Sequence, residues 1–258
     1  MIELNAVTYA YPGQESHPVF RDYDWQVERG DRWAILGPSG CGKTTLLYLL
    51  AGLRFATSGQ LLVDGQVLNR PRPQTGLILQ DYGLLPWATL RKNIELGLQI
   101  RRFYGPDGTH APREGNNPPD VRAVNEWLNR LDIQGVADQY PGQVSGGQRQ
   151  RAAIARTLIL QPDLLLMDEP FSSLDAPTRE ALQALTIEIC KERNLTLILV
   201  THAIEEAAIM GRRILILRTP PTSTAEIMEN PLSVSPNFRS SAGYPAVCRE
   251  LRARLEMR

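Results

Sequence analysis

Hydrophobic positions along the chain change period several times, and those changes mark its elements. Ile2 to Tyr9 alternates apolar with polar residues, the period of a half-buried strand. A Pro12-Gly13 turn follows, and Tyr23 to Glu28 alternates again. Arg32 to Leu36 reads as a buried strand and Thr45 to Ala51 as a helix, with Gly52 as its stop. Gln60 to Val63, Asp64-Gly65 and Gln66 to Leu68 predict a hairpin, and Thr75 to Leu79 predicts a core strand ending at Gln80. From Thr89 to Phe103 and from Val121 to Leu131 the pattern is helical. Between these helices, 104–120 is rich in Gly, Pro, Asn and charge and predicts a mobile surface loop.

Beyond this helical stretch an α/β rhythm returns. Strands are expected over Asp163 to Met167, Leu195 to Val200 and Arg213 to Leu217, and helices over Pro177 to Arg193 and Ile204 to Gly211. From Arg218 the chain is rich in Pro and Ser until a last helix expected over Ala246 to Met257. The fold class this predicts is α/β: a core of strands and helices with antiparallel structure at its N-terminus and a helical insertion. The expected division is 1–83 with 151–217 as core, 84–150 as helical subdomain and 218–258 as C-terminal tail, all within one domain.

Between the strand ending at Leu36 and the helix after it lies Gly37-Pro38-Ser39-Gly40-Cys41-Gly42-Lys43-Thr44-Thr45. Glycine, four residues, glycine, lysine and threonine form the pattern of a phosphate-binding loop. Glycines let the backbone curl so that several N–H groups face one anion, and Lys43 adds a cation for the terminal phosphates. The Thr44 hydroxyl is of the kind that ligates Mg²⁺ between them. Cys41 fills a variable position and is read as passive, although a helix N-terminus lowers a thiol pKa and would favour reactivity.

Two further stretches carry chemistry. The apolar run Leu164 to Met167 ends in Asp168-Glu169. After a phosphate loop, Asp168 is a candidate for holding Mg²⁺, and Glu169 for polarising the water that attacks the γ-phosphate. Ser145-Gly146-Gly147-Gln148 opens a helix with a small hydroxyl cap and two glycines, which makes a second anion site.

Composition adds exclusions. Formal net charge is zero, which argues against broad electrostatic binding to nucleic acid. Cys41, Cys190 and Cys248 have no metal or redox spacing, so a reducing compartment is expected. Met1 to Asn5 carries an acid and no basic apolar leader, so no signal peptide is expected. The longest apolar runs are far shorter than a membrane span, so any membrane role is expected to come through a partner.

Taken together these motifs resemble the nucleotide-binding subunits of ATP-binding-cassette (ABC) transporters, from the N-terminal strands to about Leu217. GPSGCGKTT is similar to that family's Walker A motif, LLLMDEP to its Walker B motif, and SGGQ to its signature, here preceded by Val144 in place of the usual leucine. The resemblance implies the ABC ATPase fold, with a P-loop core, an antiparallel β subdomain and an inserted helical subdomain. It implies ATP and Mg²⁺ as cofactors and assigns further roles. Gln80 becomes the glutamine that senses the γ-phosphate and Mg²⁺, Asp175 part of the D-loop, His202 the switch histidine, and Tyr11 the aromatic stacked on adenine, with Tyr9 the weaker candidate. It also implies a head-to-tail homodimer in which each ATP lies between Lys43 of one copy and Ser145-Gly146-Gly147 of the other.

The implied partners are integral-membrane permease subunits and, indirectly, a solute-binding protein, which puts the chain at the cytoplasmic face of the membrane. The run from Gln80 to Trp87 would link nucleotide to permease, with Leu84, Leu85 and Trp87 as apolar contacts. The stretch QDYGLLPWATLRKNIELGL is similar to the importer branch for nitrate, sulfonates and taurine. A soluble ATPase of the same family, not coupled to a permease, is the alternative reading.

Overall fold

A computed structural model describes residues 1–103, 121–235 and 237–256. The loop expected over 104–120 lies outside them. In chain order the elements are β1 (Ile2–Tyr9), β2 (Phe20–Val27), β3 (Arg32–Leu36), α1 (Lys43–Leu50), β4 (Ser58–Val63), β5 (Gln66–Val67) and β6 (Thr75–Ile78). There follow α2 (Leu90–Phe103), α3 (Val121–Arg130), α4 (Gly146–Leu158), β7 (Leu164–Asp168), α5 (Ala176–Arg193) and β8 (Thr196–Thr201). The chain ends with α6 (Ile204–Met210), β9 (Arg213–Ile216), β10 (Glu226–Glu229) and α7 (Gly243–Glu256). They form two compact units: 1–71 with 166–169 and 187–258, and 72–165 with 170–186.

In the first unit, β2, β1, β4 and β5 make an antiparallel sheet in that order. Strict alternation along β1 would bury Ala6 and Thr8, but the register shifts after Asn5 and the buried set becomes Ile2, Leu4, Val7 and Tyr9. The cause is a bulge at Ala6, whose φ is +47° and whose freed N–H donates to Asp24 Oδ1 at 2.8 Å. A second sheet runs β10, β9, β3, β8 and the end of β7. β3 pairs in parallel with both β8 and β9, so the strand feeding the phosphate loop is central. Every residue of β3, β7 and β8 is buried, which is why these strands read as continuous apolar runs.

The stretch after Arg218 departs from its loose reading. Glu226–Glu229 is a strand antiparallel to β9, two 3₁₀ turns follow at Pro231–Val234 and Phe238–Ser240, and α7 starts at Gly243 rather than Ala246. Met228, Phe238, Val247 and Leu251 join Ala34, Leu36, Ala207, Ile214 and Ile216 in one apolar cluster. The C-terminal residues therefore complete the core behind β3. β10 escapes pattern reading because Met228 is its one buried residue, so no alternation is visible.

In the second unit, β6 runs beside the start of β7, and α2 and α3 pack on α4. Gly97 of α2 meets α4 so closely that an added Cβ would lie 3.0 Å from the Arg156 carbonyl. Asn93, fully buried on α2, donates to the carbonyls of Leu85, Ala88 and Thr89 at 3.0–3.1 Å and accepts the Leu85 N–H at 2.7 Å. That one amide ties the Leu85–Thr89 loop to the helix behind it. Among the described residues no helix is long and apolar enough to cross a membrane.

Candidate functional site

The first unit gathers the phosphate loop, Tyr11, Asp168, Glu169 and His202. Gly37 has to be glycine, because a Cβ would sit 2.5 Å from the Leu217 carbonyl oxygen. Gly42 has φ +102°, and a Cβ there would meet Val19 at 2.5 Å. The turn into α1 follows from these two positions. α1 begins at Lys43 with no side-chain cap and no acid in its first turn, so its leading N–H groups keep their positive end open to an anion. Lys43 is buried, and its ammonium donates to the Gly37 and Pro38 carbonyls at 2.8 and 2.9 Å. Two of its three donors thus fix the cation against the loop.

The next two residues face different partners. Thr44 Oγ1 donates to Asp168 Oδ1 at 3.4 Å, and Thr45 Oγ1 shares a hydrogen bond with the Tyr11 hydroxyl at 2.8 Å. Burial pushes the Asp168 carboxyl above the usual carboxylate range, and the Thr44 bond opposes that shift. Tyr11 is half-buried, its edge packs on Tyr9 at 5.3 Å between centroids, and the Arg54 guanidinium lies 5.1 Å from its ring centroid. Tyr9 is buried, which leaves Tyr11 as the partly exposed ring of this pair. No motif announces Arg54.

Cys41 is in keeping with its passive reading and not with the reactivity a helix N-terminus would favour. It is buried in the loop, and burial raises its pKa by more than Lys43 and the local backbone N–H groups lower it. Desolvation of the thiolate outweighs the helix end here.

Asp168 and Glu169 are neighbours with different partners. Glu169 leaves the strand direction at φ +45°, a left-handed conformation uncommon for a residue with a side chain. Its N–H donates to the Val200 carbonyl at 2.9 Å, and its Oε1 lies 3.1 Å from His202 Nδ1. Thr201 Oγ1 accepts the Ala203 N–H at 3.0 Å, which shapes the turn between β8 and α6 that presents His202. The Glu169 side chain is 22% exposed and that of His202 63%, so the pair reaches solvent through the imidazole.

The second unit holds Gln80, Ser145 to Gln148 and Asp175. Gln80 sits in a turn closed by the Tyr82 N–H on the Leu79 carbonyl at 3.0 Å. Ser145 caps α4 in a reciprocal box: Gln148 N–H donates to Ser145 Oγ at 3.2 Å, and Ser145 N–H to Gln148 Oε1 at 2.9 Å. Gly147 is required by packing, since a Cβ would come 2.6 Å from Thr178 Cγ2. At Gly146 an added Cβ would meet none of the described residues closer than 3.7 Å, so none of them demands glycine there. Asp175 caps α5 by accepting the Thr178 N–H at 3.3 Å, and hydrogen bonds from Thr178 hold its carboxyl below the usual range.

A protein-family model described as "ABC transporter" matches residues 20–172. The chain is 37% identical over 242 residues to the aliphatic sulfonates import ATP-binding protein of Bacillus thuringiensis subsp. konkukian, covering 93% of this chain and 90% of that protein. It is 38% identical over 218 residues to the taurine import ATP-binding protein of Pelagibacter ubique, covering 84% and 77%. Among solved structures, it resembles a dimeric ATP-binding cassette in a post-hydrolysis state bound to ADP and Pi. That match has a TM-score of 0.74 and 28% identity, and covers 89% of this chain and 98% of the other.

Proposed function

The chain belongs to the ABC transporter family, and from that premise we propose how its residues share the work. It is an ATP-binding subunit of the import type, whose ATP hydrolysis energises transport. The N–H groups of Gly37 to Thr45 and the Lys43 ammonium hold the phosphates, and the Tyr11 ring stacks on the adenine. Thr44, Asp168 and Gln80 would hold Mg²⁺, which neutralises phosphate charge when bound. Their oxygens suit a hard cation, and the Thr44–Asp168 contact already brings two of them together.

Glu169 accepts the proton of the attacking water, and His202 holds the Glu169 carboxylate in its working direction. The observation that carries this reading is the split of two adjacent carboxylates, one onto Thr44 of the phosphate loop and the other onto His202. Ser145, Gly146, Gly147 and Gln148, with Asp175, serve the nucleotide of a second copy in a head-to-tail homodimer. The unforced glycine at 146 supports this, as does the dimeric cassette bound to ADP and Pi. Residues 84–150 act as the helical subdomain facing the permease at the cytoplasmic side of the membrane, with Trp87, 73% exposed, among its contacts. The cargo is a small oxyanion-bearing solute, in keeping with relatives that import sulfonates, taurine and nitrate, and a solute-binding protein delivers it.

The test is to purify the chain with the membrane protein that co-isolates, then screen solutes for stimulated ATP turnover. Stimulation by a sulfonate, taurine or nitrate is expected. A chain that hydrolyses ATP with no membrane partner and no response to any solute would replace this reading with that of a soluble ATPase.

A further inference from the structure

We propose that Tyr82 is the positioning residue for Gln80, and that its hydroxyl bond to Ser173 fixes the turn from which Gln80 works. The inference rests on the role given to Gln80 above. Tyr82 ends the Leu79–Tyr82 turn, so wherever its backbone is held, Gln80 is held two residues away. Its φ is +67°, a conformation that residues with side chains keep only where their surroundings impose it.

Those surroundings come from three sides. The Tyr82 N–H closes the turn on Leu79. Arg156, in the last turn of α4, donates from Nη2 to the Tyr82 carbonyl at 2.9 Å and from Nη1 to the Gly83 carbonyl at 2.6 Å. The Tyr82 side chain is buried, at 8% exposure, and its hydroxyl lies 2.5 Å from Ser173 Oγ. Ser173 stands two residues before Asp175. The hydroxyl also lies 3.9 Å from the point where a Gly146 Cβ would be. The Tyr82 side chain therefore ties the Gln80 turn to the segment that carries Asp175 and lies beside the start of α4, while Arg156 near the end of α4 holds its main chain. A phenylalanine would fill the same space, so the hydroxyl is there for the bond and not for the packing.

The experiment uses the purified full chain and the variants Tyr82→Phe, Ser173→Ala, Gln80→Ala and their pairs. Without nucleotide, hydrogen exchange at the amides of residues 79–83 is expected to quicken in Tyr82→Phe and Ser173→Ala. With ATP, each lowers kcat roughly three- to ten-fold, the range one net hydrogen bond allows. Nucleotide affinity stays within about two-fold of wild type, since the phosphate loop is untouched. The double variant Tyr82→Phe/Ser173→Ala is no slower than either single one, and Tyr82→Phe adds nothing in a Gln80→Ala background.

Wild-type exchange and kcat in both single variants overturn the proposal. So does an equal further loss of kcat when Tyr82→Phe is combined with Gln80→Ala, because Tyr82 then acts without Gln80. Wild-type kcat in Gln80→Ala alone would remove the role of Gln80 itself, and with it any positioning role. A slow Gln80→Ala beside a fast Tyr82→Phe would remove only the latter.

Discussion

His202 Nδ1 lies 3.1 Å from Glu169 Oε1, and the same short segment also holds the Glu169 backbone, whose N–H donates to Val200. Left-handed backbone at a non-glycine residue costs on the order of 1–3 kcal/mol. Glu169 keeps it because Val200 and His202 grip its main chain and side chain at once. A carboxylate that followed the strand direction of Asp168 would point elsewhere.

Glu169→Gln tests the role of that carboxylate. The amide has the same shape and can still meet His202, but it cannot take a proton from water. ATP turnover should fall at least about a hundred-fold, while nucleotide affinity changes little. Nucleotide-dependent dimers, followed by gel filtration with ATP, should outlast those of wild type because the γ-phosphate remains. His202→Ala should fall by less, roughly ten- to a hundred-fold, since Glu169 survives without its holder. Wild-type turnover in the glutamine variant would remove Glu169 from the chemistry.

Much of this was legible in the sequence where function is written in contiguous residues. Gly37 to Thr45, Leu164 to Glu169 and Ser145 to Gln148 each carry an element boundary and the residue types of a candidate site within nine residues, so pattern alone marks them. Contacts between distant segments were not legible. Tyr82 with Ser173 and Arg54 with Tyr11 depend on how turns aim side chains, and no spacing encodes that, while His202 beside Glu169 is expected only through the family resemblance. Burial decides between two tendencies at Cys41, in favour of its passive reading: a helix end favours a thiolate, yet packing removes the water a thiolate needs. Short edge elements were missed for a third reason, since β10 shows one buried residue and the Ala6 bulge interrupts its own alternation.

Cys41 should therefore resist alkylation. Burial raises its pKa, so at pH 7 to 8 the thiolate fraction lies below that of a free cysteine, and access is poor as well. Treatment of the native chain with a thiol reagent should leave ATP turnover intact with or without prior nucleotide. Peptide mass mapping should show Cys41 labelled only after unfolding. Rapid labelling at pH 7 that ATP blocks would mean the loop opens in solution.

Tyr9 and Tyr11 should separate cleanly. The buried Tyr9 hydroxyl has no hydrogen-bond partner among the described residues, so Tyr9→Phe should leave stability equal or raise it by up to about 1 kcal/mol. Its effect on KM for ATP should be negligible. Tyr11→Ala removes a half-buried ring next to the phosphate loop and should raise KM several-fold, with kcat nearly kept, while Tyr11→Phe should retain most of the affinity. Unchanged KM in Tyr11→Ala would take adenine stacking away from this ring.

Gly146 and Gly147 are adjacent and should fail for different reasons. A methyl group at 147 would lie 2.6 Å from Thr178 Cγ2, so in Gly147→Ala the Thr178 side chain has to rotate or α4 and α5 have to move apart. Overpacking of this kind costs typically 1–3 kcal/mol, and a lower melting temperature is expected for the isolated chain without nucleotide. Shrinking the neighbour in Gly147→Ala/Thr178→Ser should recover part of it. At 146 a methyl group meets only ordinary contacts, the closest at 3.7 Å, so the melting temperature of Gly146→Ala should match wild type. Its defect should appear only when ATP draws a second copy against this turn, as weaker dimers and slower turnover at unchanged binding by the monomer. A stable Gly146→Ala chain that dimerises and hydrolyses like wild type would mean the second copy does not approach here, because a surface that accepts an extra methyl group is not one that closes on a phosphate.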